Sequence, residues 1–100
     1  MTLPGDAIVR DREMSITHGD LFRLLPLAIE NRPYKATAGR IEVDMGEGSV
    51  EIEFSEERQR RIASLILPVT HLQFRFHGLP SETVSLFMER FDRSFQRGGG

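Results

Sequence analysis

The sequence predicts an α+β fold. It is a two-layer sandwich in which a mostly antiparallel, three- to four-stranded sheet carries an N-terminal and a C-terminal helix on one face. Three observations lead there. The runs 41–45 and 50–54 alternate strictly between apolar and acidic residues around Gly46-Glu47-Gly48, and the run 71–77 alternates in the same way. Segments 18–30 and 81–97 instead repeat their apolar residues at helical spacing. A sheet with one apolar face and two helices with apolar stripes bury one another most economically as two layers.

The length of 100 residues supports one domain with one core. The reading divides it into a flexible arm at 1–13, a single α+β domain at 14–97 and a flexible tail at 98–100. Residues 1–13 hold Pro4, Gly5 and scattered charges with no sustained period.

The first helix begins at Thr17-His18-Gly19-Asp20, where Thr17 can cap and Asp20 stands at capping-box spacing. It is expected over about 18–30, with Leu21, Leu24, Leu25, Ala28 and Ile29 on one face. Phe22 and Leu27 widen that stripe, and Pro26 should kink or break the helix. A stripe this wide needs cover on more than one side. Either the N-terminal arm or a loop covers it, or Leu24, Leu25 and Leu27 form an interface with a partner or a second copy.

A strand near Tyr34–Ala38 is expected next, with Gly39 as a bulge. The hairpin 41–54 follows, sending Ile41, Val43, Met45, Val50, Ile52 and Phe54 inward and Glu42, Asp44, Glu51 and Glu53 outward. Residues 56–66 read either as a helix capped at Ser55 or as a strand that ends at Pro68. The strand is preferred, because the apolar cluster Ile62 to Leu67 is late and short for a helix. In the 71–77 run Leu72, Phe74 and Phe76 point inward, while His71, Gln73, Arg75 and His77 share the other face. The last helix starts at Ser81 and places Val84, Phe87, Met88, Phe91 and Phe95 on one side. These phenylalanines, with Phe54, Phe74 and Phe76, would form an aromatic centre.

The net charge of −2 conceals a segregated pattern. Residues 41–57 hold seven acids and no base, whereas 58–100 hold seven Arg and three acids. Twelve of the 13 basic residues are Arg, a bias that a GC-rich genome explains and that also suits anion recognition. The chain as a whole is not basic enough for a nucleic-acid binder, so nucleic acid is disfavoured as a partner. No apolar run approaches the roughly 20 residues of a membrane span. The first residues lack the apolar core of a signal peptide, which points to the cytoplasm.

With no Cys there is no thiolate metal site or thiol nucleophile. His71 and His77 would stand roughly 20 Å apart on one strand, too far to share an ion. No serine lies in a Gly-x-Ser-x-Gly context, and Gly46-Glu47-Gly48 places an acid where a phosphate cradle cannot hold one. No catalytic residue, cofactor or metal is therefore expected. The terminal Gly98-Gly99-Gly100 resembles the diglycine ends of sulfur-carrier and ubiquitin-like proteins in those residues alone. Those ends are strand-derived arms, whereas here an amphipathic helix runs almost to the glycines.

Two surfaces remain. The polar sheet face offers His71, Gln73, Arg75 and His77 beside the hairpin acids. A basic patch offers Arg58, Arg60 and Arg61, with Arg90, Arg93 and Arg97 from the last helix. The expected function is a small non-catalytic domain that binds a protein partner or itself. The alternative is a small-ligand binder or enzyme working through His71, Arg75 and His77. An anion or nucleic-acid contact through the Arg58–Arg61 and Arg90–Arg97 stripes is a third course, with Arg58 and Arg61 as candidate binding residues.

Overall fold

The computed structural model describes residues 7–98. Eight elements follow in order: β1 (Ile8–Met14), α1 (His18–Ala28), β2 (Tyr34–Thr37), β3 (Arg40–Asp44), β4 (Ser49–Phe54), β5 (Arg58–Ile62), β6 (Leu65–His77) and α2 (Ser81–Gly98). The fold is a small α+β domain, but its antiparallel sheet has six strands rather than three or four. The strand order is β1-β6-β4-β3-β2, with β5 pairing the first part of β6.

Two strands account for the difference. Residues 8–13 were expected in a loose arm, yet they pair with β6 from Ile8↔Phe76 to Met14↔Thr70. Pairing did not show in the sequence because the inward positions of β1 include Arg10 and Arg12. Arg12 reaches α2 instead, where its Nε and Nη2 donate to the Asp92 carboxylate at 3.1 and 3.0 Å. An inward charge satisfied this way also discourages strand addition at an edge. The preferred strand at 60–67 is two strands, β5 and the start of β6, joined by Ala63-Ser64, and Pro68 lies within β6 rather than ending a strand. β2, expected near Tyr34–Ala38, completes the count. Gly39, expected as a bulge, has φ +78 and sits in the two-residue turn between β2 and β3.

α1 starts as expected. Asp20 N–H donates to Thr17 Oγ1 at 3.0 Å and Thr17 N–H donates back to Asp20 Oδ2 at 3.5 Å, closing the capping box. Pro26 lies inside α1, and the helix stops two residues sooner than expected. Glu30 and Asn31 then take φ +58 and +59, and the Asn31 N–H turns back to the Pro26 carbonyl at 2.8 Å.

Both helices share one core with the inward residues of the sheet. Leu21, Leu25, Ile41, Val43, Val50, Ile52, Leu72, Phe74, Phe76 and Phe91 are all essentially inaccessible. Phe74 meets Phe91 edge-on at 4.9 Å, and Phe76 meets Phe87 at 5.4 Å, geometries the ring quadrupoles favour. Phe54 stands apart from this centre, half-buried against His18 and Phe22 at 5.0 and 5.6 Å. In the β3–β4 loop, Gly48 lies against β6. A Cβ there would stand 2.2 Å from the His77 carbonyl oxygen, so only glycine fits.

Candidate functional site

β6 belongs to two environments. From Thr70 to His77 it lies between β1 and β4. From Leu65 to Val69 its neighbour is β5, and the two strands form a hairpin arm over residues 58–69. At about 3.3 Å per residue, 13 residues run roughly 43 Å. This one strand thus accounts for most of the long dimension of a chain measuring 52 × 26 × 25 Å.

All five residues of β5 are exposed. So are Ile62, Leu65 and Ile66 around the turn, at 51%, 60% and 51%. Those three apolar side chains therefore gather at the end of the arm, Ile62 and Leu65 on one face and Ile66 on the other, which sets them apart from the scattered exposed apolar residues of any protein surface. The turn closes with Ala63 at φ +54, a conformation that suits the twist of a two-residue hairpin but strains a residue with a Cβ.

Directly opposed residues of an antiparallel pair share a face. Arg58↔Val69, Arg60↔Leu67 and Ile62↔Leu65 therefore lie on the same side as His71, Gln73, Arg75 and His77. Arg60 pairs with the Glu13 carboxylate of β1. Arg58 and Arg61 have no carboxylate partner among the described residues, and Arg61 faces the opposite side of the arm with Ile66. Arg90 and Arg93 do not join this patch. They border a cleft of about 250 Å³ between the end of α1 and α2, where Arg90 pairs with Glu30 at 3.4 Å and Arg93 with Glu89 at 3.0 Å.

The four polar residues of β6 are aligned on the open sheet face, where His71 and Gln73 both reach Asp11 Oδ1, the latter donating from Nε2 at 3.5 Å. His71 Nε2 stands 3.3 Å from Asp11 Oδ1, and His77 Nε2 stands 3.5 Å from Glu51 Oε1. Gln73 Oε1 accepts from Arg75 Nε and Nη2 at 3.3 and 3.1 Å. Glu51 also meets Arg40 at 3.0 Å and is the least exposed acid of the ion pairs. The two histidines thus serve different carboxylates. A depression of about 270 Å³ lined by Gly39, Glu53, Phe54, Ser55, His71 and Gln73 touches only part of the set.

The acids of β3 and β4 are unevenly satisfied. Glu42 and Glu51 oppose each other directly across the strands, a like-charge pair that costs stability unless cations flank it. Arg40 answers Glu51, but Glu42 and Glu53 form no ion pair among the described residues. Lys35 stands directly opposite Glu42 and Arg40 opposite Glu53, so cations flank both acids without closing an ion pair on them, and the open face lies beyond the base of a basic, apolar-tipped arm. Chain order concealed this, because Glu57 and Arg58 are adjacent in sequence while the arm carries Arg58–Arg61 away from the body.

Of the three leucines considered as an interface, Leu24 and Leu25 are buried in the chain's own core, and Leu27 is 63% exposed. Among the described residues, Arg12 and Asp20 are groups whose acidity departs from the ordinary. The hydrogen bond to Asp92 raises the Arg12 guanidinium, and the hydrogen bond from Arg23, followed by those from Thr17, lowers the Asp20 carboxyl. Neither lies among the open-face residues of β6. Among the described residues no three His, Asp or Glu side chains gather as metal ligands, and no helix is long and apolar enough to cross a membrane. No family model matches the chain, and no curated protein or solved structure is similar to it.

Proposed function

We propose that the chain is a small non-catalytic interaction module that engages a protein through the hairpin arm and the open face beside it. The observation that carries this reading is the apolar tip, Ile62, Leu65 and Ile66, held out on a two-stranded arm whose first strand is wholly exposed. An isolated hairpin is marginal in water. Apolar residues concentrated at its end gain only when something covers them. Leu27 lies on a different element and is not needed for this contact. Arg58 and Arg61 on the arm, and the β6 row His71, Gln73, Arg75 and His77 on the open face beyond its base, supply polar contacts beside the apolar tip's docking surface.

A photo-crosslinking side chain placed at Leu65 tests the reading in cells of the source organism. The same group at Leu86, which is equally exposed on α2 at 61%, serves as the control. Discrete adducts from position 65 and none from position 86 support the arm as the contact. No adduct from position 65, or equal labelling from both, contradicts it.

A further inference from the structure

The chain carries both halves of a complementary surface on one face of its sheet. We infer that the arm's partner is a second copy of this chain, held face to face so that Arg58 and Arg60 of each arm meet Glu42 and Glu53 of the other body. This rests on the interaction reading above and names its partner.

Three features support it. The first is charge. Arg58, Glu42 and Glu53 close no ion pair among the described residues, although Lys35 and Arg40 stand opposite the two acids, and Arg60 has only the exposed Glu13. Opposite patches of this kind favour encounter and fix the register of docking.

The second is geometry. β5 pairs the same side of β6 as β4 does, so β5 lies in line with β4 along the strand direction. Take a twofold axis that crosses the strands at the base of the arm, parallel to the sheet. It places each arm over the other body and brings β5 above the partner's β4 and its neighbour β3. Both contacts form at once, as a closed twofold interface requires. One arm alone is small against the roughly 800 Å² per partner of a standard interface, and reciprocal docking uses two.

The third is that the arm is blunted against the competing mode, strand addition. The His71 carbonyl accepts from Ser55 N–H at 2.9 Å, so odd-numbered residues of β6 direct their backbone groups toward β4 and β5. Pro68 is out of phase with them and faces the open edge, where its carbonyl accepts the Ser15 hydroxyl at 3.0 Å. The one residue with no N–H thus lies on that edge, and arginines line the edge of β5. The arm docks by its side chains.

Sedimentation of the full chain tests this with charge reversals at exposed positions. The wild type should approach twice 11.4 kDa as concentration rises, with weaker association at higher salt. R58E/R60E alone and E42R/E53R alone should each weaken the dimer at least about tenfold, with circular dichroism unchanged. Mixed one to one, the two variants should regain the dimer, because every contact is again opposite in sign. A wild type that stays monomeric, a dimer indifferent to both reversals, or a mixture that fails to re-associate overturns the inference. Crosslinks from position 65 to a protein of another mass, with a monomeric wild type, would overturn the second copy and leave the interaction reading standing. Absence of any adduct would remove both.

Discussion

The two halves of β6 are both rich in apolar residues and meet opposite fates. Leu72, Phe74 and Phe76 are inaccessible, whereas Leu65 and Ile66, on the same strand, are more than half exposed. Residues 71–77 alternate polar with apolar side chains, whereas 65–69 is an unbroken apolar run, a pattern that ordinarily marks a strand buried on both faces. What decides the outcome is the second layer. α1 and α2 cover the inward side of residues 70–77, while 65–69 has β5 beside it, and β5 is Arg58-Gln59-Arg60-Arg61-Ile62. A strand's pattern states which face could be buried, and its neighbours decide whether it is.

This contrast can be broken in graded steps. The largest effect belongs to the aromatic centre. Phe91→Ala should cost about 3–5 kcal/mol in denaturant unfolding, whereas Leu65→Ala should stay within about 0.5 kcal/mol for the monomer. Equal losses would mean that the arm is packed in solution. Next is the close approach of the β3–β4 loop to β6. Gly48→Ala forces a Cβ against the His77 carbonyl and should destabilise by roughly 1–3 kcal/mol. Thr17→Ala removes the helix cap and should cost about 0.5–2 kcal/mol. Asp92→Ala breaks the Arg12 pair. Since both groups are about a third exposed, the loss should not exceed about 1 kcal/mol, and it should shrink in salt.

The smallest effect is one of pH. Asp20 is held below its ordinary value, first by the Arg23 hydrogen bond and then by Thr17. A carboxylate depressed in the folded state stabilises above its unfolded pKa and stops doing so as pH falls through the folded value. Asp20→Asn should therefore lower thermal stability near neutral pH slightly. It should also flatten the acid side of the profile. A profile that keeps its full acid slope would place that linkage in other carboxylates.

The legible parts of this fold are those where local chemistry and burial agree. Thr17 and Asp20 formed the expected cap, and the β3–β4 hairpin turned at Gly46-Glu47-Gly48 as its alternation required. α2 buried Val84, Phe87, Met88, Phe91 and Phe95 together. β1 was hidden because an edge strand satisfied Arg12 through a residue 80 positions away. β5 was hidden because a strand with neither face covered has no reason to alternate. The candidate site divided along the same line. The β6 row was readable from its period of two, but the hairpin that carries Arg58 at its base and the apolar tip at its end depends on a turn at Ala63, a residue that gives no turn signal.

Native-state hydrogen exchange at two protein concentrations tests the central claim most directly, because it reads the arm and the body in one experiment. In dilute solution the amides of 58–69 should exchange far faster than those of Leu72, Phe74 and Phe76. At high concentration the arm and the β3–β4 face should gain protection while the core amides stay unchanged. Arm amides that are protected as well as the core in dilute solution, or that ignore concentration, would contradict the account.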